Sequence, residues 1–286
     1  MRIFQNGEDE MLNFSVNTNM SAITALHSLN TSEMRAAEIS KRISTGKMVA
    51  DVRDNGAIWS IAQTQRSEVA SLGRVIQSLN RGSSVIDPAL AAADTISDML
   101  IQMKEKALAA ADGTLDSVSR QAINEDFKGL RDNIEKILSN AEFNNVNLVD
   151  GSTSSHSALS DESGGSITVQ GEDLSLGGGI LTMAATASLG TQTLSNALIS
   201  EIDSSIENLS LAMTRLSAGQ RRFDQQSDML LRHQEAVQRG IGNLVDADMA
   251  RESARFQAEQ TRLQLRQEGL AIANRSTQVV LALFQS

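Results

Sequence analysis

The sequence predicts a mainly α protein: a long antiparallel helical rod or coiled-coil bundle, with paired terminal helices and a small β/loop tip. Three observations predict it. Apolar residues recur every seven positions over most of the chain, the mark of helices that bury one narrow seam against other long helices. Hydrophobic residues make up 41% of the 286, but aromatics only 3%, with one Trp, one Pro and no Tyr. Small and aliphatic side chains of this kind suit long packed helices better than a many-turned β fold. Finally, a Ser/Gly/Thr-rich stretch at 150–190 separates two heptad-bearing halves.

The elements follow in order. Residues 1–10, "MRIFQNGEDE", join no stripe. A first helix is expected within 11–50, where Leu29, Ala36 and Ile43 step by seven with Ile39 beside them. "STGKMVADVRDNGA" interrupts it. Over 51–149 a long helix follows on Ile58, Gln65, Leu72, Leu79, Ile86, Ala93, Leu100 and Ala107. A further stripe comes next on Ile123, Phe127, Leu130, Ile134, Ile137 and Ala141. Pro88 lies inside the long series. An Asp-Pro pair can open a new helix, but the register does not slip from Leu79 to Ala93, so the helix is expected to continue, kinked, through the proline.

Residues 150–190, with the alternation "SITVQ", predict loops and a strand or two, surface-exposed and tolerant of change. Helix resumes near Thr191 and carries Ile202, Leu209, Leu216, Phe223, Leu230, Val237 and Leu244, with a boundary expected at 241. "GIGNLVDAD" combines two glycines with two capping aspartates, and the stripe jumps phase from Leu244 to Met249, so 242–286 is a separate helix. Its stripe runs Met249, Phe256, Leu263, Leu270, a slip at Thr277, then Phe284. Each terminal helix of roughly 30 residues is about 45 Å long. Neither is stable alone in water with its seam exposed. The two therefore pair with each other or with copies of themselves.

Several kinds of chemistry have no groups to carry them. Without Cys there are no disulfides, thiolate nucleophiles or thiolate zinc sites. His27, His156 and His233 sit in different segments without metal spacing. "KRISTGKM" echoes a phosphate-binding loop, but Lys41 stands at the first glycine position and Met48 where Ser or Thr would bind magnesium. "LGGGIL" lacks the strand–glycine–helix setting of a pyrophosphate site. Neither catalytic residues, nor a cofactor, nor a metal are expected: the protein reads as a non-enzyme. The net charge of −10 disfavours nucleic acid and anionic membranes as partners. No apolar run approaches the ~20 residues of a membrane span. The opening residues lack the pattern of a cleaved secretory signal, so any export is expected to read another signal.

Several stretches together resemble the bacterial flagellins. "SVNTNMSAITALHSLN" and "ISKRISTGKMVADVRDNGAIWSIAQTQR" resemble the flagellin N-terminus, although Arg53 occupies a position where the family usually has a small residue. "EFNNVNLVDG" is similar to the turn that closes the N-terminal helical region. "NLVDADMARESARFQAEQTRLQLRQEGLAIANRSTQVVLALF" resembles the C-terminal signature. The resemblance covers all but the first ten residues and the centre, and its wording is closest to alphaproteobacterial flagellins with a short central region. The family's chain begins at a residue matching Met11. Codons for Gly7–Glu10 would form a purine-rich run like a ribosome-binding site, so residues 1–10 are expected to be a non-native extension.

The resemblance implies a secreted, extracellular subunit that polymerises into the flagellar filament for motility, with a hook–filament junction protein as the alternative. A secreted adhesin acting through the tip is disfavoured, because the tip has no aromatic residue. Self is the implied partner, with other flagellins, the junction and cap proteins, the flagellar type III export apparatus and a flagellin chaperone. The implied polymerisation interface comprises Ile23, Leu26, Leu29, Ile39 and Ile43 with Met249, Phe256, Leu263, Leu270, Leu283 and Phe284. Candidate O-glycosylation sites are Ser152, Thr153, Ser154, Ser155 and Ser157. Lys104 stands where receptor-sensed flagellins carry Arg, which predicts weak recognition by toll-like receptors because the planar fork of donors is lost. Thr277 replaces a proline common near the family's C-terminus, so the last turns are expected to continue straight.

Overall fold

The computed structural model describes residues 18–283, with side chains through Arg275. Five helices carry the described chain: α1 (Met20–Thr45), α2 (Gly56–Ala110), α3 (Ser117–Asn140), α4 (Gln192–Val245) and α5 (Met249–Leu283). Their ends follow local chemistry. The Asn19 side chain accepts from Ala22 N at 3.0 Å, Asn55 caps α2 through Ile58 N at 3.1 Å, and Asp116 caps α3 through Ser119 N at 2.8 Å. Asp248 caps α5 through Arg251 N at 3.1 Å. Each occupies an orphan amide of the first turn. α1 stops at Gly46, which takes the left-handed conformation. At the end of α2, Arg120 donates to the carbonyls of Ala110, Asp112 and Leu115. α2 passes through Pro88, as its unbroken register requires, and α5 passes Thr277 without a break.

The described chain forms two compact units. One combines the residues before Gln65 with those after Gln238; the other is 65–238. The compact units divide within α2 and within α4. α4 continues to Val245 with Gly240 and Gly242 inside it, because an isolated glycine costs a helix only about 1 kcal/mol against Ala.

In the 65–238 unit the predicted heptad rows are the core. Leu72, Leu79, Ile86, Ala93, Leu100 and Ala107 of α2 are buried, as are Ile202, Leu209, Leu216, Phe223 and Leu230 of α4 and Phe127 and Ile134 of α3. Two antiparallel hairpins complete the unit: β1 (Glu142–Phe143) with β2 (Val146–Asn147), and β3 (Ser155–Leu159) with β4 (Ser166–Gln170). Asn144 and Asn145 turn the first with φ of 50° and 65°, the geometry of a tight primed hairpin turn.

The segment 150–190 keeps many exposed residues and also adds to the core. Ala158, Val169, Leu174, Leu181, Met183 and Leu189 are buried in the same core as α2 and α4. Its backbone is tied down as well. Glu172 N donates to Leu148 O at 2.7 Å, Leu189 N to the Asn124 carboxamide at 2.6 Å, and Arg131 to Ala187 O at 3.0 Å. Glu172, itself buried, accepts both arms of the Arg215 fork at 2.6 Å. The apolar residues responsible occur singly among serines and glycines, so no period announces them. The second hairpin reaches α4 where Gly219 leaves room: a Cβ there would lie 2.7 Å from Val169 Cγ1.

Gly219→Ala should therefore destabilise the 65–238 unit by about 1–3 kcal/mol through overpacking. Gly129→Ala on α3, where a Cβ meets nothing within 4 Å, should be neutral or stabilising by up to about 1 kcal/mol. Thermal melts of the two variants measure the contrast; equal melting temperatures would refute the close hairpin contact.

Candidate functional site

The terminal unit is built on α1 and α5. Positions on α1 that lose solvent include the row Ala22, Ala25, Leu29, Ser32, Ala36, Ile39 and Ile43, with Ser28, Thr31, Lys41 and Arg42 beside it. On α5 they are Glu252, Phe256, Glu259, Leu263, Arg266, Leu270 and Ala273. Both rows alternate steps of three and four, which is the spacing of a coiled-coil seam. Of the interface residues expected from the sequence, Leu29, Ile39, Ile43, Phe256, Leu263 and Leu270 thus lie half-buried between the chain's own two helices. Ile23, Leu26 and Met249 do not: they are 52%, 47% and 42% exposed. Leu283 is the last residue of α5, and its side chain and Phe284 lie outside the described residues.

Three of the seven α5 row residues are polar, and sequence reading followed only the apolar ones. Glu252 and Glu259 are buried at 5% and 3% exposure. Arg266 donates to the Ser28 carbonyl at 2.5 Å and to the Ser32 hydroxyl. The Ser32 hydroxyl, helped by Arg262 at 3.1 Å, holds the Glu259 carboxyl below its ordinary range against the opposing effect of burial. One carboxylate oxygen of each buried glutamate has no hydrogen-bond partner. The signal was present in the sequence as Glu252, Glu259, Arg266 and Ala273, a second seven-step series beside the apolar one. At the far end of the pair, the Asn19 carboxamide donates to Ala273 O at 2.9 Å.

The two linkers of this unit are joined. Met48 N donates to Val245 O at 2.7 Å and Ala247 N to Gly46 O at 3.0 Å. A small core of Val49, Ala62 and Val245 sits beneath them, packed by Ile58, Trp59, Ile241 and Leu244. Lys41 bridges Asp51 at 2.9 Å and Asp54 at 2.8 Å. With Lys41 and the backbone amides of Ala50 and Asp51 as donors, the Asp54 pKa falls to about 2.

Several large apolar residues stand exposed among the polar ones on α1 and α5. Met20, Ile23, Leu26 and Met34 are 47–66% exposed, and Leu265 and Ile272 are 62% and 69% exposed. A groove of about 640 Å³ runs beside the pair, lined by small residues including Ser21, Ala25, Gly269 and Ala273, with Met20 and Leu265. Among the described residues no group of three or more His, Cys, Asp or Glu could hold a metal ion, and no helix is long and apolar enough to cross a membrane. Ser152, Ser154, Ser155 and Ser157 are exposed and Thr153 half-buried.

Residues 16–154 match the bacterial flagellin N-terminal helical region, and residues 199–284 match the C-terminal helical region. The chain belongs to the bacterial flagellin family. Flagellin FljM of Caulobacter vibrioides is 42% identical over 271 residues, spanning 95% of this chain and 98% of that protein. A flagellin of Brucella melitensis is 30% identical over 281 residues, spanning 95% and 99%. Both relatives are alphaproteobacterial, as the sequence resemblance implied. A structure from Vibrio parahaemolyticus, provisionally ascribed to a flagellar hook-associated protein, covers 68% of this chain and 100% of that one with a TM-score of 0.57 at 15% identity. That likeness is one of fold. This flagellin is a structural subunit of the flagellar filament, an extracellular assembly.

Lowered carboxyl pKa values make the terminal unit acid-sensitive. Glu259 and Asp54 contribute stability that is fully present above the ordinary carboxylate range, roughly pH 4. That stability is lost as the pH falls through their lower folded values, toward about 2 for Asp54. Trp59, the only tryptophan, should report this as a fluorescence transition between about pH 4 and pH 2. Glu259→Gln should flatten its acid limb; an unchanged profile would show that the seam carboxylate does not contribute.

Proposed function

We propose that subunits join through the outer faces of α1 and α5, while the seam between those helices serves to build the face. The observation that carries this reading is the exposed apolar series Ile23, Leu26 and Met34 on α1 with Leu265 and Ile272 on α5. Burying a large apolar side chain is worth about 1.5–3 kcal/mol, so each half-exposed one leaves about 1 kcal/mol to be gained on association. A contact between unlike surfaces of two copies is heterologous, and such a contact propagates into a helical filament when its rotation does not close.

Leu29, Ile39, Ile43, Phe256, Leu263 and Leu270 then act indirectly, by holding α1 on α5. Family membership supports the flagellar type III export apparatus and a flagellin chaperone as the partners before assembly, and other flagellins, the hook–filament junction and the cap as partners within it. For sugar attachment, Ser154 and Ser155 are the most available of the candidate hydroxyls. The Ser152 hydroxyl is engaged with Asp150 at 2.6 Å and that of Ser157 with Thr168 at 2.8 Å.

Seeded polymerisation followed by electron microscopy separates the two roles. Ile23→Asp and Leu26→Asp should keep the monomer's helix content and block growth from seeds. Leu263→Asp should block growth and also reduce helix content, because a charge set in the seam separates α1 from α5 while the 65–238 unit stays folded. Long filaments from Ile23→Asp and Leu26→Asp would overturn the outer-face reading.

A further inference from the structure

A second site lies in the 65–238 unit. α2, the first hairpin and β3 meet around a cleft of about 200 Å³ lined by Ser78, Arg81, Val85, Phe143, Asn144, Val146, His156 and Ser157. The Ser78 and Ser157 hydroxyls are engaged with Leu159 N and Thr168, but three other polar groups are unused. Among the described residues, the Arg81 guanidinium, the His156 ring and the Asn144 carboxamide have no hydrogen-bond or ion-pair partner. Burial lowers the His156 pKa, so the ring is neutral at pH 7 and offers one donor and one acceptor. Arg81 is then the cationic group of the cleft.

The apolar groups beside them are deliberately placed. Val85 is buried, and Phe143 is 41% exposed in a chain with only seven phenylalanines. The positive φ angles of Asn144 and Asn145 hold the hairpin turn that presents Phe143 and Asn144 together, a conformation that side-chain-bearing residues adopt at a cost. A planar fork of donors beside an aromatic edge and an aliphatic wall matches a carboxylate with a small apolar body. Size narrows the ligand further. At roughly 30 Å³ per water the cleft holds about seven, below the roughly 300 Å³ at which cofactor and metabolite pockets begin.

We infer that this cleft is a carboxylate-binding site of side-chain size, with Arg81 as the anchoring cation and Asn144 and His156 as supporting donors. Two sources offer that chemistry: a free small carboxylic acid, or an Asp or Glu side chain of a second copy of this chain, which carries 35 acidic residues against 25 basic ones.

The test follows the His156 ring resonances of the full-length monomer during titration with sodium butyrate and sodium benzoate; His156→Gln identifies them among the three histidines. The expected result is a saturable shift, with affinity reduced about tenfold or more in Arg81→Gln and by less in Arg81→Lys, which keeps the charge but loses the fork. Arg81 is exposed, so both variants should fold, which circular dichroism checks. No saturable shift, or the same shift in Arg81→Gln, overturns the site. Labelling of His156 by diethyl pyrocarbonate in monomer and filament then separates the sources. Protection in the filament identifies a neighbouring copy's carboxylate, and equal labelling identifies a free acid.

Discussion

The pairing of α1 with α5 is the interaction on which this protein's role depends. Each helix carries a seam row that cannot be buried within its own helix, and an isolated helix in water has only marginal stability. Packed together, the two rows give a scaffold whose other faces carry exposed apolar residues such as Ile23, Leu26, Leu265 and Ile272. The seam is not optimised for strength. It buries Ser32, Glu252 and Glu259 and engages Arg266, and two carboxylate oxygens within it lack partners. Buried polar groups of this kind weaken a helix pair while restricting the registers it can adopt. For a subunit whose outer faces must match those of its neighbours, register is the property that matters.

The other unit is stabilised differently. Its helices are joined by uninterrupted rows of Leu, Ile and Ala, with Phe127 and Phe223 fully buried. The segment between α3 and α4 adds to that core instead of standing clear of it. Glu172 with Arg215, Asn124 with Leu189 and Asn147 with Leu138 place buried polar groups in full hydrogen bonds, as burial demands. A short central region is thus a structural part of this flagellin as well as its surface.

Much of this was legible in the residues. Seven-step series such as Leu72–Leu79–Ile86 gave α2 in full, including its passage through Pro88, because a register that survives a proline is evidence that the helix does too. "SITVQ" gave β4, since strict alternation is a strand period. The pairing partner of the tail stripe was legible as well. What period could not reveal was orientation at the termini. Ile23 and Leu26 look like members of the α1 stripe, yet they face outward while Ala22, Ala25 and Leu29 face α5. Small residues at a seam carry little hydrophobic signal, and larger ones beside them capture the eye. The polar seam positions of α5 were passed over for the same reason, and the buried residues of 150–190 because single apolar side chains have no period at all.

The most direct test of this account is amide hydrogen exchange on α1 and α5, compared between monomer and filament. If the seam is intramolecular and the outer faces form the polymer contacts, the amides of both helices should be partly protected in the monomer, though less than those of the α2 and α4 core. They should all become strongly protected in the filament. Protection of α1 and α5 in the monomer equal to that in the filament would contradict the account, because assembly would then add nothing to the pair.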